Sequence, residues 1–191
     1  DSPTTSGYVC LTTFMDSPIQ TVRKVNSMLI HNPLRYKAWA DRRTLDAVAQ
    51  LDPLKQHEAL AFARQQLNHL VRVEELFRAR LLGEPAPHGS TNTDTLPQLD
   101  ELDRRLTAAN QWLAAYLDGL APGQLQEPIH FVFVDGKQGM LSREEAIFHL
   151  VNHGTYHRGA IGHALDRADG NRPADTYTVF IHGAEPERRN A

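Results

Sequence analysis

Histidine is abundant in this chain, at 10 of 191 positions. Three histidines stand in the string HLVNHGTYHRG, residues 149–159, at successive i, i+4 intervals: His149, His153 and His157. Four residues advance a helix by little more than one turn, so all three project from nearly one face. Ala146, Ala160 and Ala164 share that face and Gly154 and Gly159 flank it, which leaves room above the imidazoles. The stripe Ile147, Val151, Ile161 and Leu165 lies beside them and puts His153 and His157 at the edge of a core. Two imidazoles one turn apart can hold one first-row metal ion, with metal–nitrogen bonds of about 2.0–2.1 Å. A third ligand has to come from another element. His69 is the candidate, as the one histidine central to an earlier helix and on that helix's second apolar strip. Three protein ligands leave positions for water or substrate, the pattern of a catalytic rather than a closed structural site. Gly154 stands where a zincin HExxH motif needs glutamate, so zincin-type proteolysis is excluded and the motif holds no general base. The blander alternative is an ordinary helical module whose histidines are satisfied core residues at a chance spacing.

Other residues near the motif have two readings each. His149 is either a proton-shuttling imidazole or a packed helix-face residue. Tyr156 is either a hydrogen-bond donor toward the site or a packing residue beside it. Arg158 falls in the apolar sector of its helix and needs a partner there. Glu74 interrupts the apolar stripe of the second helix, so an Arg158–Glu74 pair is expected; the functional alternative for Arg158 is an anion anchor for substrate. Tyr36, Trp39, Trp112 and Tyr116 read as core or interface residues. His57, His88, His130, His163 and His182 read as surface residues, and the charges of the third helix as a solvated face.

Four helical patterns must position these side chains. The first covers residues 33–51, with Asn32 as cap, Pro33 in the first turn, and Leu34, Ala38, Leu45 and Val48 on one face. The second covers 53–82 and stops at Gly83, with apolar strips on two sides. A polar loop, GEPAPHGSTNTDT, crosses over from residue 83 to 95. The third pattern, 96–120, alternates three- and four-residue intervals from Leu99 to Leu120. Residues 127–141 carry β-branched and aromatic runs around Asp135-Gly136, a hairpin signature. The fourth helix opens at Ser142 with the capping box S-R-E-E and continues to about residue 168. Residues 176–182 read as a short extended segment. The expected fold is all-α: an up-down-type four-helix bundle with a long crossover loop and a small β-hairpin before the last helix.

With 41% apolar and 23% charged residues, the composition is that of one globular domain. Asp1 is not an initiator methionine, and Met28 precedes the first sustained pattern. Residues 1–27 are therefore expected to be an extension, poorly ordered or not native, with the bundle over 28–183 and a charged mobile tail over 184–191. A net charge of −3 argues against nucleic acid as partner. No apolar run approaches membrane-spanning length. Cys10 is the single cysteine, which fits a reducing, cytoplasmic compartment.

The strings HLVNHGTYHRG, LNHLVRVEELF, LRYKAWADRRTLDAV and ADTYTVFIHG, spread over residues 28–183, resemble the DinB/YfiT-like metal-binding bundle superfamily. That resemblance implies an up-down four-helix bundle, usually a homodimer, holding a divalent ion, often nickel or zinc, on three histidines. By position these fall on His69, His153 and His157. It also implies a small-molecule substrate and one of two chemistries: transfer or isomerisation with a low-molecular-weight thiol, or metal-assisted hydrolysis. The alternative is a non-catalytic, stress-associated metal-binding protein. His149, Tyr156 and Arg158 are the candidate catalytic residues around the ion.

Overall fold

The computed structural model describes residues 18–189, with side chains from Ile30 onward. The expectation of an extension over residues 1–27 lies, for 1–17, outside the described residues. The described chain is mostly helical: α1 (Pro18–Ala49), α2 (His57–Leu82), α3 (Leu99–Asp118), α4 (Arg143–Arg167) and α5 (Tyr177–Ala184), with strands β1 (Pro128–Val132) and β2 (Gln138–Ser142) between α3 and α4.

Helix α1 starts at Pro18 and runs through Pro33, which corrects the expected start there. Asn32 is accordingly no cap; it lies within the helix and accepts from Arg35 Nη1 at 3.2 Å. A proline inside a helix forfeits one backbone bond. The turns after Pro33 are held from the side instead, because Leu34, Tyr36, Lys37, Ala40, Asp41, Leu45 and Val48 are all buried. Helix α2 ends on Gly83 in the left-handed conformation (φ 70°), where a residue with a side chain is strained. Helix α4 opens with the expected capping box: Ser142 accepts from the Glu145 backbone N–H, and the Glu145 carboxylate accepts from the Ser142 N–H. The hairpin pairs Ile129 with Leu141 and Phe131 with Gly139. Residues 177–184 are helical rather than extended, which corrects the tail expectation. Thr176 caps this helix by accepting from the Val179 N–H at 3.4 Å, and Phe180 and Ile181 are buried in the core. Burial has overridden the strand preference of Thr, Tyr and Val. Beyond α5, Pro186–Arg189 make one tight turn.

Helix α1 packs on α3 and α4, and so does α2. The core is divided in two. One apolar cluster holds Leu34, Phe77, Leu113 and Ile147 among others; the second holds Leu45, Leu67, Leu106 and Ile161. On each of the four long helices a polar residue stands at the boundary: buried Lys37 and Asp41 on α1, Glu74 on α2 and Arg158 on α4, and half-buried Asn110 on α3. Lys37 Nζ donates to Glu74 Oε1 (2.6 Å), Asp41 Oδ2 (2.9 Å) and Asn110 Oδ1 (2.6 Å). Arg158 Nη1 donates to Asp41 Oδ1 and Arg158 Nε to Asp175 Oδ2, each at 2.8 Å. The Tyr36 hydroxyl donates to Asp175.

Candidate metal centre

Helix α4 faces two neighbours. Its Arg158 turns toward α1, and its histidines turn toward α2. His69 Nε2 lies 3.2 Å from His153 Nε2, and His157 Nε2 lies 3.1 Å from the same atom. Within the described residues this is the one group of three or more His, Cys, Asp or Glu whose donor atoms lie within metal-binding range of one another. No carboxylate joins it.

The donor geometry fits an ion. A metal about 2.05 Å from two nitrogens holds them roughly 2.9 Å apart at a right angle and roughly 3.4 Å apart at the tetrahedral angle. Both observed separations fall between these limits. Hydrogen bonding accounts for them less well, because a neutral ring nitrogen carries one proton or one in-plane lone pair and serves one partner. His153 Nε2 has two. A bound cation receiving three lone pairs removes that conflict.

Protonation favours the same use. Burial, reinforced by the charges of His157, His149 and His69, pulls the His153 pKa down to about 3. Burial and His69 pull His157 down to about 4, and burial lowers His69. All three rings are neutral near pH 7, as metal ligands must be.

The rings are also held from behind. His157 Nδ1 donates to Gln66 Oε1 at 2.6 Å, which commits the proton to Nδ1 and leaves Nε2 free to coordinate. Gln66 stands three residues before His69 on the same face of α2, a neighbour relation readable from spacing but overlooked in the sequence. Thr91 and Asn92, both on the crossover loop, stand beside His69 and partly offset the lowering of its pKa. That loop is strapped to α2: Arg72 donates to the Ser90 carbonyl, Asn68 Nδ2 to Thr93 Oγ1, and Arg64 to the carbonyls of Leu96 and Pro97. Nothing in the sequence ties loop residues 91 and 92 to a ring on α2.

The remaining expectations fare unevenly. His149 stays outside the three-nitrogen group and stacks between Phe77 (4.7 Å) and His153 (5.2 Å). Tyr156 is 74% exposed and lies beside the group, its ring meeting His157 edge-on at 5.1 Å. The Arg158–Glu74 pair does not form. Glu74 takes Lys37, while Arg158 takes Asp41 and Asp175, and Thr155 accepts from its Nη2 at 3.2 Å. Burial alone would lower the Arg158 pKa, but the two carboxylates outweigh it and hold the guanidinium charged. That charge is matched inside the protein rather than offered to a ligand.

Gly154 also has a different role from the one expected. A Cβ there would lie 2.7 Å from Arg158 Nη1, so the glycine makes space for the guanidinium and not for a ligand above the imidazoles. His88, expected at the surface, is pinned against Glu75, which also takes Arg105. The third helix is thus not wholly a solvated face.

Searches among curated proteins and among solved structures gave no match. The DinB family model matches residues 23–189, a span that takes in α2, the crossover loop and all three converging histidines. The chain belongs to the DinB family.

Proposed function

We propose that the protein is a divalent-metal-dependent enzyme of the DinB type, with nickel or zinc held by His69, His153 and His157. The reaction is thiol-dependent S-transfer, or failing that a metal-assisted hydrolysis. The convergence of three neutral Nε2 atoms carries this reading. A bound ion supplies charge that three neutral ligands leave uncompensated, and this favours the thiolate over the thiol near pH 7. The chain's own part is to fix that charge: Gln66 orients His157, and the crossover loop, strapped to α2, runs beside His69. No carboxylate stands within the ligand group to serve as general base, which favours S-transfer over hydrolysis. In S-transfer a sulfur–carbon bond forms, the leaving group departs with its bonding electron pair, and the thiol proton passes to solvent.

The up-down four-helix-bundle topology and a homodimer belong to the same reading. The pairing of α1 and α2, each with α3 and α4, supports the former. The missing base also supports a second reading, a metal-binding protein without turnover. The test is to load the protein with nickel or zinc and supply thiols with a panel of electrophiles and esters. Metal-dependent turnover that is lost in His153→Ala supports the enzyme. Tight metal binding with no turnover for any pair supports the binder. Metal content unaffected by His69→Ala removes both.

A further inference from the structure

The histidines are part of a longer row of rings shared by α2 and α4. It runs from His157 and His69 through His153 to His149 and Phe77, with centroid separations of 4.4–5.2 Å. At its end stands Arg80, whose Cζ lies 4.6 Å from the Phe77 ring, 4.4 Å from Phe131 and 5.5 Å from Phe133. Arg105 and Arg158 each carry two carboxylates. Arg80 carries none among the described residues, and its hydrogen bond to the Val132 carbonyl is long, at 3.5 Å. Ring faces hold a guanidinium in place without cancelling its charge. A half-buried cation without a counter-ion is costly to keep, and burial lowers its pKa with no carboxylate to oppose it.

We propose that Arg80 anchors the carboxylate of a small, flexible organic anion whose reacting atom sits at the three histidines. The three contacts from His153 through His149 and Phe77 to Arg80 set the length. Anchor and reacting atom are thus at most about 15 Å apart, a distance that a short peptide can span. The inference rests on the metal-site reading above. A purely structural Arg80 would clamp the hairpin to α2 through Phe131 and Phe133; its loss would lower stability and leave ligand selectivity unchanged.

The test is calorimetric titration of the metal-loaded chain with glutathione and with glutathione diethyl ester. It is repeated on metal-free protein with S-methylglutathione and its diester. The acid is expected to bind about tenfold tighter than the ester. In Arg80→Met that preference falls below about twofold, with metal affinity unchanged, while Arg80→Lys keeps part of it. Arg80→Gln, run alongside, removes the charge and keeps a long polar side chain should the Met variant fold poorly. Failure to bind metal overturns the site reading, and the metal-free pair then decides on Arg80 by itself. An unchanged acid preference in Arg80→Met and Arg80→Gln, or no preference in the natural sequence, overturns the anchor.

Discussion

Replacing Gly154 by alanine sets two known effects against each other. Position 154 lies in the interior of α4, where alanine is the better helix former by about 0.5–1 kcal/mol. Propensity alone therefore predicts a more stable protein. The added Cβ, however, would stand 2.7 Å from Arg158 Nη1, the atom that donates to Asp41 at 2.8 Å. The guanidinium cannot step aside into solvent, since Arg158 is buried. Displacing it leaves Asp41 short of a counter-charge, and breaking a buried pair costs about 3–5 kcal/mol. Gly154→Ala should thus lose about 2–4 kcal/mol, measured as the shift in urea unfolding followed by far-ultraviolet circular dichroism. In an Arg158→Met/Asp175→Asn background the obstacle is gone, and the same substitution should gain about 0.5–1 kcal/mol. A Gly154→Ala protein as stable as the natural one would refute the reasoning, as would an equal loss in both backgrounds.

Two further outcomes follow from the site. Gln66→Ala removes the acceptor that fixes the His157 ring and should weaken metal binding by about 10–100-fold with little change in fold, read by competition with a chromophoric chelator. In metal-free protein, the unfolded histidines titrate near 6.5, while folded His153 and His157 resist protonation down to about 3 and about 4. Between these values the unfolded chain binds more protons. Their contribution to stability is therefore whole above about pH 6.5, declines as pH falls, and levels off near pH 3. Urea midpoints across this range should fall less steeply in a His153→Ala/His157→Ala variant, and an unchanged slope would contradict the assignment.

Much of the helical layout was legible in local chemistry. The capping box at Ser142 and the stop at Gly83 each depend on a few adjacent residues. The histidine spacing shows as a pattern on one helix face, and His69 could be nominated because few histidines lie on buried strips. What depends on heights across helices was not legible. Lys37 and Asp41 lie on the stripe of Leu34, Leu45 and Val48 at three- and four-residue steps, yet charges on a helix read as solvated until their partners are known. Glu74 and Arg158 were recognisable as misplaced charges, but which carboxylate faces which cation is set by the axial offset of α1, α2 and α4. Proline at 33 misled because its usual place is the first turn, whereas here burial on both sides of the backbone gap carries the helix through. The Thr91 and Asn92 contacts depend on the path of an irregular loop, for which no periodicity exists.

The ionic layer between the two apolar clusters also acts as a vernier for the helices. Leucines facing leucines tolerate a slide of one turn, about 5.4 Å, because one greasy contact replaces another. Lys37, Asp41, Glu74, Asn110 and Arg158 tolerate none: a slid α4 would thrust a guanidinium among leucines and strand a carboxylate. The layer thereby locks the longitudinal alignment of α2 with α4, and with it the elevation at which the ring at 69 meets those at 153 and 157. Ångström-scale tolerance at the imidazole trio is thus enforced by charges that never touch it.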